Sequence, residues 1–495
     1  MTNPIPQLQS HLPMLRLDES LPIRETFRTD ANGFAGALPL AVAYPQGAGD
    51  VQALVRAARA LHLSLVPVSS SGAHHRGDTT CADNTIVVDL SSLQRVLRID
   101  RRNRVSLFQA GVTFSQLAPA LRNHGLRALL PLCPRPGKSA LAAYLEREPT
   151  IYPRFQWDIS DPLLCTEVVF GTGEYFRTGA AAGPGTLEDQ WAAGDAQKSP
   201  LGPGQSDLMR IVQGAQGSVG IVTWCSAKAE RLPEWETLHL TAAESLAPLV
   251  RAVRMLLRRG FADIAFVVNG PALAALCETE REDVAIAAGR TRPWYLVYSL
   301  GAARYFPEDK RRYVHREIDE LYAQTGLQPA HPPVGSEEAL LRRLTCPEQY
   351  STAPYWKHAG EMHARELFFQ TTLDRTPRFH ALVAAAATAP GAPERSPLVY
   401  VQPQVAGRCC HFEVIVPHAA GERERVEAWT QGLAHQLSGA GAFFSRPYGP
   451  WSEIAFARCS TAWVVPKVKA MFDPDAVLAP GRLDVSRALA LNAVE

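Results

Sequence analysis

No apolar run in the 495-residue chain reaches the roughly 18 residues that a bilayer crossing needs. The opening MTNPIPQLQS has neither the basic start nor the apolar stretch of a signal peptide, so a soluble, cytoplasmic protein is expected. An excess of one charge is also missing. The 50 basic and 49 acidic residues leave a formal charge of +1, which offers no field to gather phosphate backbones or anionic lipid, and nucleic acid is not an expected partner. The nine cysteines are scattered, with one adjacent pair, Cys409 and Cys410, and no two-residue spacing of the zinc or iron–sulfur kind. A reducing compartment suits them. No GxGxxG opens a strand–helix unit, which disfavours a nicotinamide-binding Rossmann domain. Gly137-Lys138-Ser139 is not a phosphate loop either, because Leu132 stands where its first glycine belongs and Pro134 and Pro136 stiffen the backbone.

What is present is ample core material: 46 % of residues are apolar, and the length suggests two or three domains. Up to Leu38 no periodicity is sustained, which suggests an N-terminal arm. Asp50 is placed to cap a helix with Val51, Leu54, Val55, Ala58 and Leu61 on one face, and Leu63 to Val68 follows as a strand. Strands are expected at Thr85–Leu90 and Val105–Ala110, then a helix over Phe114–His124 that Gly125 ends. Between Ala128 and Asp161 prolines accumulate and periodicity fails, so a long, ordered, largely loop segment is expected, of the kind that serves a site. Cys165–Gly171 and Glu174–Thr178 suggest a hairpin, and Gly220–Trp224 with the run to Leu232 closes the first half. From Trp235 the order of strands and helices suggests helices layered on an antiparallel sheet, with a second set of strands at Leu398–Gln402, Cys410–Pro417 and Ala442–Ser445. A last helix, Ala462–Phe472, leads into DPDAVLAPGRL.

Two clusters of metal-type donors stand out. His74 and His75, with Asp78 and Cys81 nearby, match no recognised cage and suggest a polar loop. Cys409, His411 and Glu413 are two apart, so on a strand they share a face. That pattern fits a functional imidazole–carboxylate pair and fits a solvated sheet face equally well.

Ordered blocks carry a stronger signal. They are YPQGAGDVQALVRAARALHLSLVPVSSSGAHHRGD, TIVVDLSSLQRVLRIDRRNRVSLFQAGVTFSQLAPAL, CTEVVFGTGEYFRTG, GAQGSVGIVTWCSAKAERLP and the C-terminal MFDPDAVLAPGRL. In this order they resemble the FAD-linked oxidoreductases of the vanillyl-alcohol oxidase / p-cresol methylhydroxylase (PCMH) family. The resemblance implies an α+β chain: a PCMH-type two-subdomain FAD-binding domain plus a cap domain with an antiparallel sheet and flanking helices. The implied boundaries are an arm at 1–38, the FAD-binding domain at 39–233, the cap at 234–455 and a C-terminal segment, 456–495, returning to the FAD domain. FAD is the implied cofactor, held by Pro67, Ser69, Ser70, Ser71, Gly72, Ala73 and His74 of the first loop, Pro136, Gly137, Ser139 and Ala140 of the second, Gly217, Gly220 and Ile221 of the closing strand, and Arg482. Small residues at 69–72 suit the close approach of backbone amides to a diphosphate. Where some members attach the flavin through a histidine, the matching position is Ala73, with His74 adjacent. Ala479 stands where many members carry asparagine before Pro-Gly.

By the same resemblance, a small hydroxylated substrate, such as a 2-hydroxy acid, an aryl or benzylic alcohol or an alkylphenol, enters from the cap side and gives a hydride to the flavin. His411 is the expected base because an ordinary imidazole titrates near neutrality. Glu413 would orient it or join it at a metal, although no metal is called for. Arg446 offers a clamp for a carboxylate or phenolate and Tyr448 a hydroxyl; Tyr152, Trp157 and Asp158 are secondary candidates. The electron acceptor is oxygen or a redox partner protein, and a homodimer is the default assembly. Two other readings are a non-catalytic flavin-fold protein binding a ligand or partner, and a cap-based metal hydrolase using Cys409, His411 and Glu413.

Overall fold

Among the described residues, three sheets carry the chain. The computed structural model describes all residues except 1–3, 32–34, 76–81, 203–206, 279, 303–304, 362, 449–450, 458–460 and 484–495. In the first sheet Ala41–Tyr44, Thr85–Asp89 and Ser64–Val68 run parallel, with Thr85–Asp89 central, and Arg16–Asp18 adds an antiparallel edge. The crossover helix Ala48–Ala60 buries Val51, Leu54, Val55 and Ala58, the stripe visible in the sequence. Its cap is Gly47 rather than Asp50, whose carboxylate sits in the first turn and accepts the Gln46 N–H at 2.8 Å. A carboxylate there is favoured by the open amides of the helix start. The described part of the N-terminal arm holds more regular structure than its sequence suggests: short helices at Ile5–His11 and Leu21–Thr26 flank the edge strand. Helices of that length show no full apolar period, and tertiary burial of Ile5 and Leu8 supplies what propensity does not.

The second sheet is antiparallel, in the order Val96–Asp100, Val105–Gln109, Gly220–Arg231, Leu163–Phe170 and Tyr175–Arg177, with Leu126–Ala128 paired to the far end of Gly220–Arg231. The expected hairpin is present, Val169 facing Tyr175. The proline-rich segment after Ala128 is largely irregular but holds one helix, Ala140–Leu145, capped by the Ser139 hydroxyl, which accepts the Ala142 N–H at 3.0 Å.

The third sheet has seven antiparallel strands, in the order Gln328–Ala330, Trp235–Ala243, Trp294–Ala302, Ala262–Asn269, Leu398–Gln404, Cys409–His418 and His363–Thr371. It is one sheet rather than two sets, because Val267 pairs with Val401 and joins them. Ala442–Ser445 is not a strand: its pairing is a single bridge from Phe443 to Gln370. One face packs on helices Leu246–Arg259, Pro307–Thr325, Thr376–Ala387 and Arg423–Gly439 through Val267, Val401, Phe412 and Val414. The other face contributes Ile264, Phe266, Val268, Tyr400 and Ile415 to the same core as the first two sheets. The sheet is therefore amphipathic only where polar residues interrupt that inner face, and those interruptions define the site.

After the helix Thr461–Phe472 the chain returns to the first sheet. Asp473 accepts the Val477 and Leu478 N–H groups at 2.9 Å each and is paired with Lys469 at 2.8 Å. Leu478 then bridges in parallel to Leu65, and Ala479 N–H donates to Leu65 carbonyl at 2.7 Å. Among the described residues no helix is long and apolar enough to cross a membrane.

Candidate active site

Strand Ser64–Val68 ends at the loop of small residues, and a cleft of about 820 Å³ opens between that loop, helix Ala140–Leu145 and the start of Gly220–Arg231. Pro67, Ser69, Ser70, Gly217, Gly220, Tyr448 and Arg482 line it. Gly217 has φ +74°, and a Cβ there would stand 2.5 Å from Pro67 Cγ, so the closing turn can lie against the first strand only without a side chain. The second loop supports the first rather than facing the cleft. Ser71 N–H donates to Gly137 carbonyl at 2.9 Å, Ser139 N–H donates to Ser70 Oγ at 3.1 Å, and Ala140 N–H to Val112 carbonyl at 2.9 Å. Pro136 lines a separate hollow beside Cys133, and Ile221 is buried behind Gly220. His74 is turned away, stacked on Phe27 of the arm at 5.0 Å. His75 faces Tyr355 at 5.6 Å, while Asp78 and Cys81 lie outside the described residues.

Does this cleft suit a dinucleotide? The amides of Ser69, Ser70, Gly72 and Ala73 make no hydrogen bond among the described residues. Unspent donors on a turn of small residues, with Arg482 on the lining, are what a diphosphate requires. The residues present fit FAD.

Beside the cleft lies a second, polar pocket of about 530 Å³. Its floor is the inner face of the cap sheet, where register places Glu413 opposite Tyr400 and Phe368, and His411 opposite Gln402. Its walls come from the proline-rich segment, through Pro131, Arg135, Lys138 and Glu148. The two spaces meet at Glu146, which lines the cleft, pairs with Lys138 at 2.9 Å and presents its carbonyl to Arg446 Nη1 at 3.5 Å.

The expected imidazole–carboxylate pair is formed: His411 Nε2 lies 3.0 Å from Glu413 Oε2, both side chains buried. Lys357 Nζ lies 2.6 Å from the other Glu413 oxygen and 3.0 Å from Glu366. An ammonium thus stands where the carboxylates would gather a metal, and Cys409 lies outside the pocket lining. Burial works against ionisation of Glu413, but Lys357 and the hydrogen bond from His411 outweigh it and hold the carboxyl below its ordinary value. A carboxylate cannot donate, so His411 carries its proton on Nε2 and Nδ1 is left as an acceptor for Arg446 Nη2, 3.2 Å away. His411 is not the ordinary imidazole expected from the sequence: burial pushes its pKa down to about 4, against the pull of Glu413, so the imidazole is neutral over the physiological range. Tyr400 donates to Gln402 Oε1 at 2.6 Å, and burial, then the Glu413 charge, raise its phenol well above the ordinary value.

Arg446 packs its guanidinium on Phe368 at 3.9 Å, and Tyr448 meets the same ring edge-on at 6.0 Å while lining the cofactor cleft. The secondary candidates stand elsewhere. Tyr152 is buried under Arg127 at 4.7 Å, Trp157 is exposed, and Asp158 pairs with Arg210 at 2.8 Å. Sequence reasoning missed Arg135, Lys357 and Glu366. The signal for Glu366 was available in HARELFFQ, an apolar strand pattern interrupted by a carboxylate; Lys357 sits on a three-residue turn, Trp356–His358, and has no pattern of its own.

Comparison with known proteins agrees with this geometry. Residues 39–179 match the family described as FAD binding domain. The solved structure of p-cresol methylhydroxylase with substrate bound superposes with a TM-score of 0.79 at 15 % identity, covering 98 % of this chain and 97 % of that one. The 4-ethylphenol oxidase of Gulosibacter chungangensis gives 0.74 at 16 % identity, over 95 % and 94 %. At such identities these structures speak for the fold. Among curated proteins, the mitochondrial D-lactate dehydrogenase [cytochrome] of Arabidopsis thaliana is 21 % identical over 197 residues, 40 % of this chain and 31 % of that protein. Glycolate oxidase subunit GlcD of Bacillus subtilis (strain 168) is 24 % identical over 238 residues, 48 % of this chain and 46 % of that protein. The chain thus spans about a third to a half of the length of these two relatives. Residues 39–179 are an FAD-binding domain, and the whole chain has the PCMH-type fold. The matched domain supports FAD as the cofactor.

Proposed function

We propose that the protein is an FAD-dependent dehydrogenase or oxidase acting on a small hydroxylated substrate of the 2-hydroxy acid, aryl or benzylic alcohol or alkylphenol type. One observation carries this reading: a buried His411–Glu413–Lys357 relay, at 3.0 and 2.6 Å, opens onto a polar pocket that adjoins the cleft fitted to FAD. When bound, FAD supplies the acceptor for a hydride. The chain's own residues do the rest. The pocket between the cap sheet and the proline-rich wall excludes bulk water; Arg446 and Tyr448 orient the substrate between the two spaces; and His411 Nδ1 takes the hydroxyl proton. Glu413, fixed by Lys357, holds the Nε2 proton and steadies the imidazolium that forms. Electrons then pass to oxygen or to a redox partner protein.

The test is anaerobic addition of mandelate, lactate, benzyl alcohol and 4-ethylphenol to the FAD-loaded protein. Bleaching of the flavin bands by at least one compound, lost in His411→Gln with FAD retained, is the expected result. Full bleaching in that variant removes His411 from the role of base.

A further inference from the structure

We propose that Arg446 covers the base before substrate binds, and that an anionic oxygen of the substrate, seated between Arg446 and Arg135, draws the guanidinium away and exposes His411 Nδ1. The catalytic half of this inference rests on the oxidoreductase reading; the anion seat does not.

The cover follows from the tautomer. With Glu413 accepting at Nε2, the only basic lone pair of His411 is on Nδ1, and Arg446 Nη2 occupies it at 3.2 Å. No substrate hydroxyl can reach Nδ1 while that contact stands. The seat follows from Arg135. Its side chain is more than nine-tenths buried, its Nη1 donates to Ser71 carbonyl at 3.2 Å, and its Nη2 has no partner among the described residues. A buried guanidinium N–H left unsatisfied is a position awaiting an acceptor. Arg135 and Arg446 line the same pocket of about 530 Å³. Its two lysines, Lys138 and Lys357, already lie within 3.0 Å of glutamates. A planar oxyanion suits guanidinium donors, and exchanging a neutral imidazole for a charged acceptor strengthens the Arg446 hydrogen bond, which drives the uncovering.

The step balances. The substrate O–H bond breaks and its proton goes to Nδ1; the carbinol C–H bond breaks and its electron pair leaves with the hydrogen to FAD; the C–O bond becomes C=O. A neutral alcohol of similar size would enter without displacing Arg446, so the anionic group is read in kcat as well as in KM.

Oxalate, which has no hydrogen to lose as hydride, is the probe. Calorimetry on FAD-loaded protein should show oxalate binding that weakens by about tenfold or more in Arg135→Met and recovers in part in Arg135→Lys. In wild-type protein with ¹⁵N-labelled histidine, oxalate should shift the Nδ1 resonance that His411→Gln removes. Equal affinity in all three proteins, or binding with no shift at His411, overturns the proposal; the wild-type resonance decides even if the methionine variant does not fold. Turnover of mandelate against benzyl alcohol separates the two readings. Equal kcat sinks the cover and leaves the oxidoreductase standing. Oxalate binding as expected, with no compound bleaching the flavin, sinks the oxidoreductase reading and leaves the anion seat.

Discussion

Replacing His411 by glutamine should flatten part of the acid limb of stability. In the unfolded chain a histidine takes up its proton near about pH 6.5, whereas burial lowers the folded value to about 4. Between those limits the unfolded chain binds more protons than the folded one, so stability falls as the pH falls. The contribution is whole above about 6.5 and gone below about 4. At about 1.4 kcal/mol per pH unit the span amounts to about 3 kcal/mol, of which about 2 kcal/mol is lost between about pH 7 and about pH 5. Glu413, whose folded value is also depressed, adds loss in the same direction as the pH falls through its own folded range. Glutamine retains a donor for Glu413 and does not titrate. Urea unfolding, followed through tryptophan fluorescence that includes the buried Trp451, would compare both proteins at the two pH values. The variant should lose about 2 kcal/mol less than wild type on acidification. Parallel losses would refute the claim that His411 is buried and neutral.

Other outcomes follow from the same geometry. Lys357→Met removes the ammonium that two buried carboxylates, Glu366 and Glu413, share, and should destabilise the protein by about 3–5 kcal/mol; adding Glu413→Gln should restore part of that, and thermal melts would show it. If His411 is the base, the acid limb of kcat/KM should lie near about pH 4, where its folded value falls, and not near 6.5; a pH–rate profile decides. Gly217→Ala forces a Cβ to 2.5 Å from Pro67 at φ +74° and should lower the FAD content of purified protein, read as the ratio of flavin to protein absorbance.

Periodic elements were legible in the sequence, and elements held by tertiary contact were not. Helix Leu246–Arg259 carries a clean apolar stripe, and Leu249, Val253 and Leu256 on it are buried. Strand Val96–Asp100 is half-buried throughout, and VLRID has no alternation to reveal it. His363–Thr371 shows no alternation, because both of its faces are buried, one on helices and one over the site, and only the apolar run in HARELFFQ marks it. Of the site, the two-residue spacing of His411 and Glu413 revealed a shared face because strand geometry is local. Their protonation did not follow from spacing: it depends on Lys357 and Arg446, which arrive from a distant turn and from the segment after the last cap helix. The small-residue loop was legible for the same local reason, whereas the turning of His74 toward Phe27 depends on the packing of the arm.

The visible spectrum of the FAD-loaded protein, recorded without oxygen before and after addition of mandelate, lactate, benzyl alcohol and 4-ethylphenol, tests the central claim most directly. Oxidised flavin bands should bleach with at least one of them and return when air is admitted or a redox partner is supplied. Bands that persist unchanged through the whole panel would contradict it.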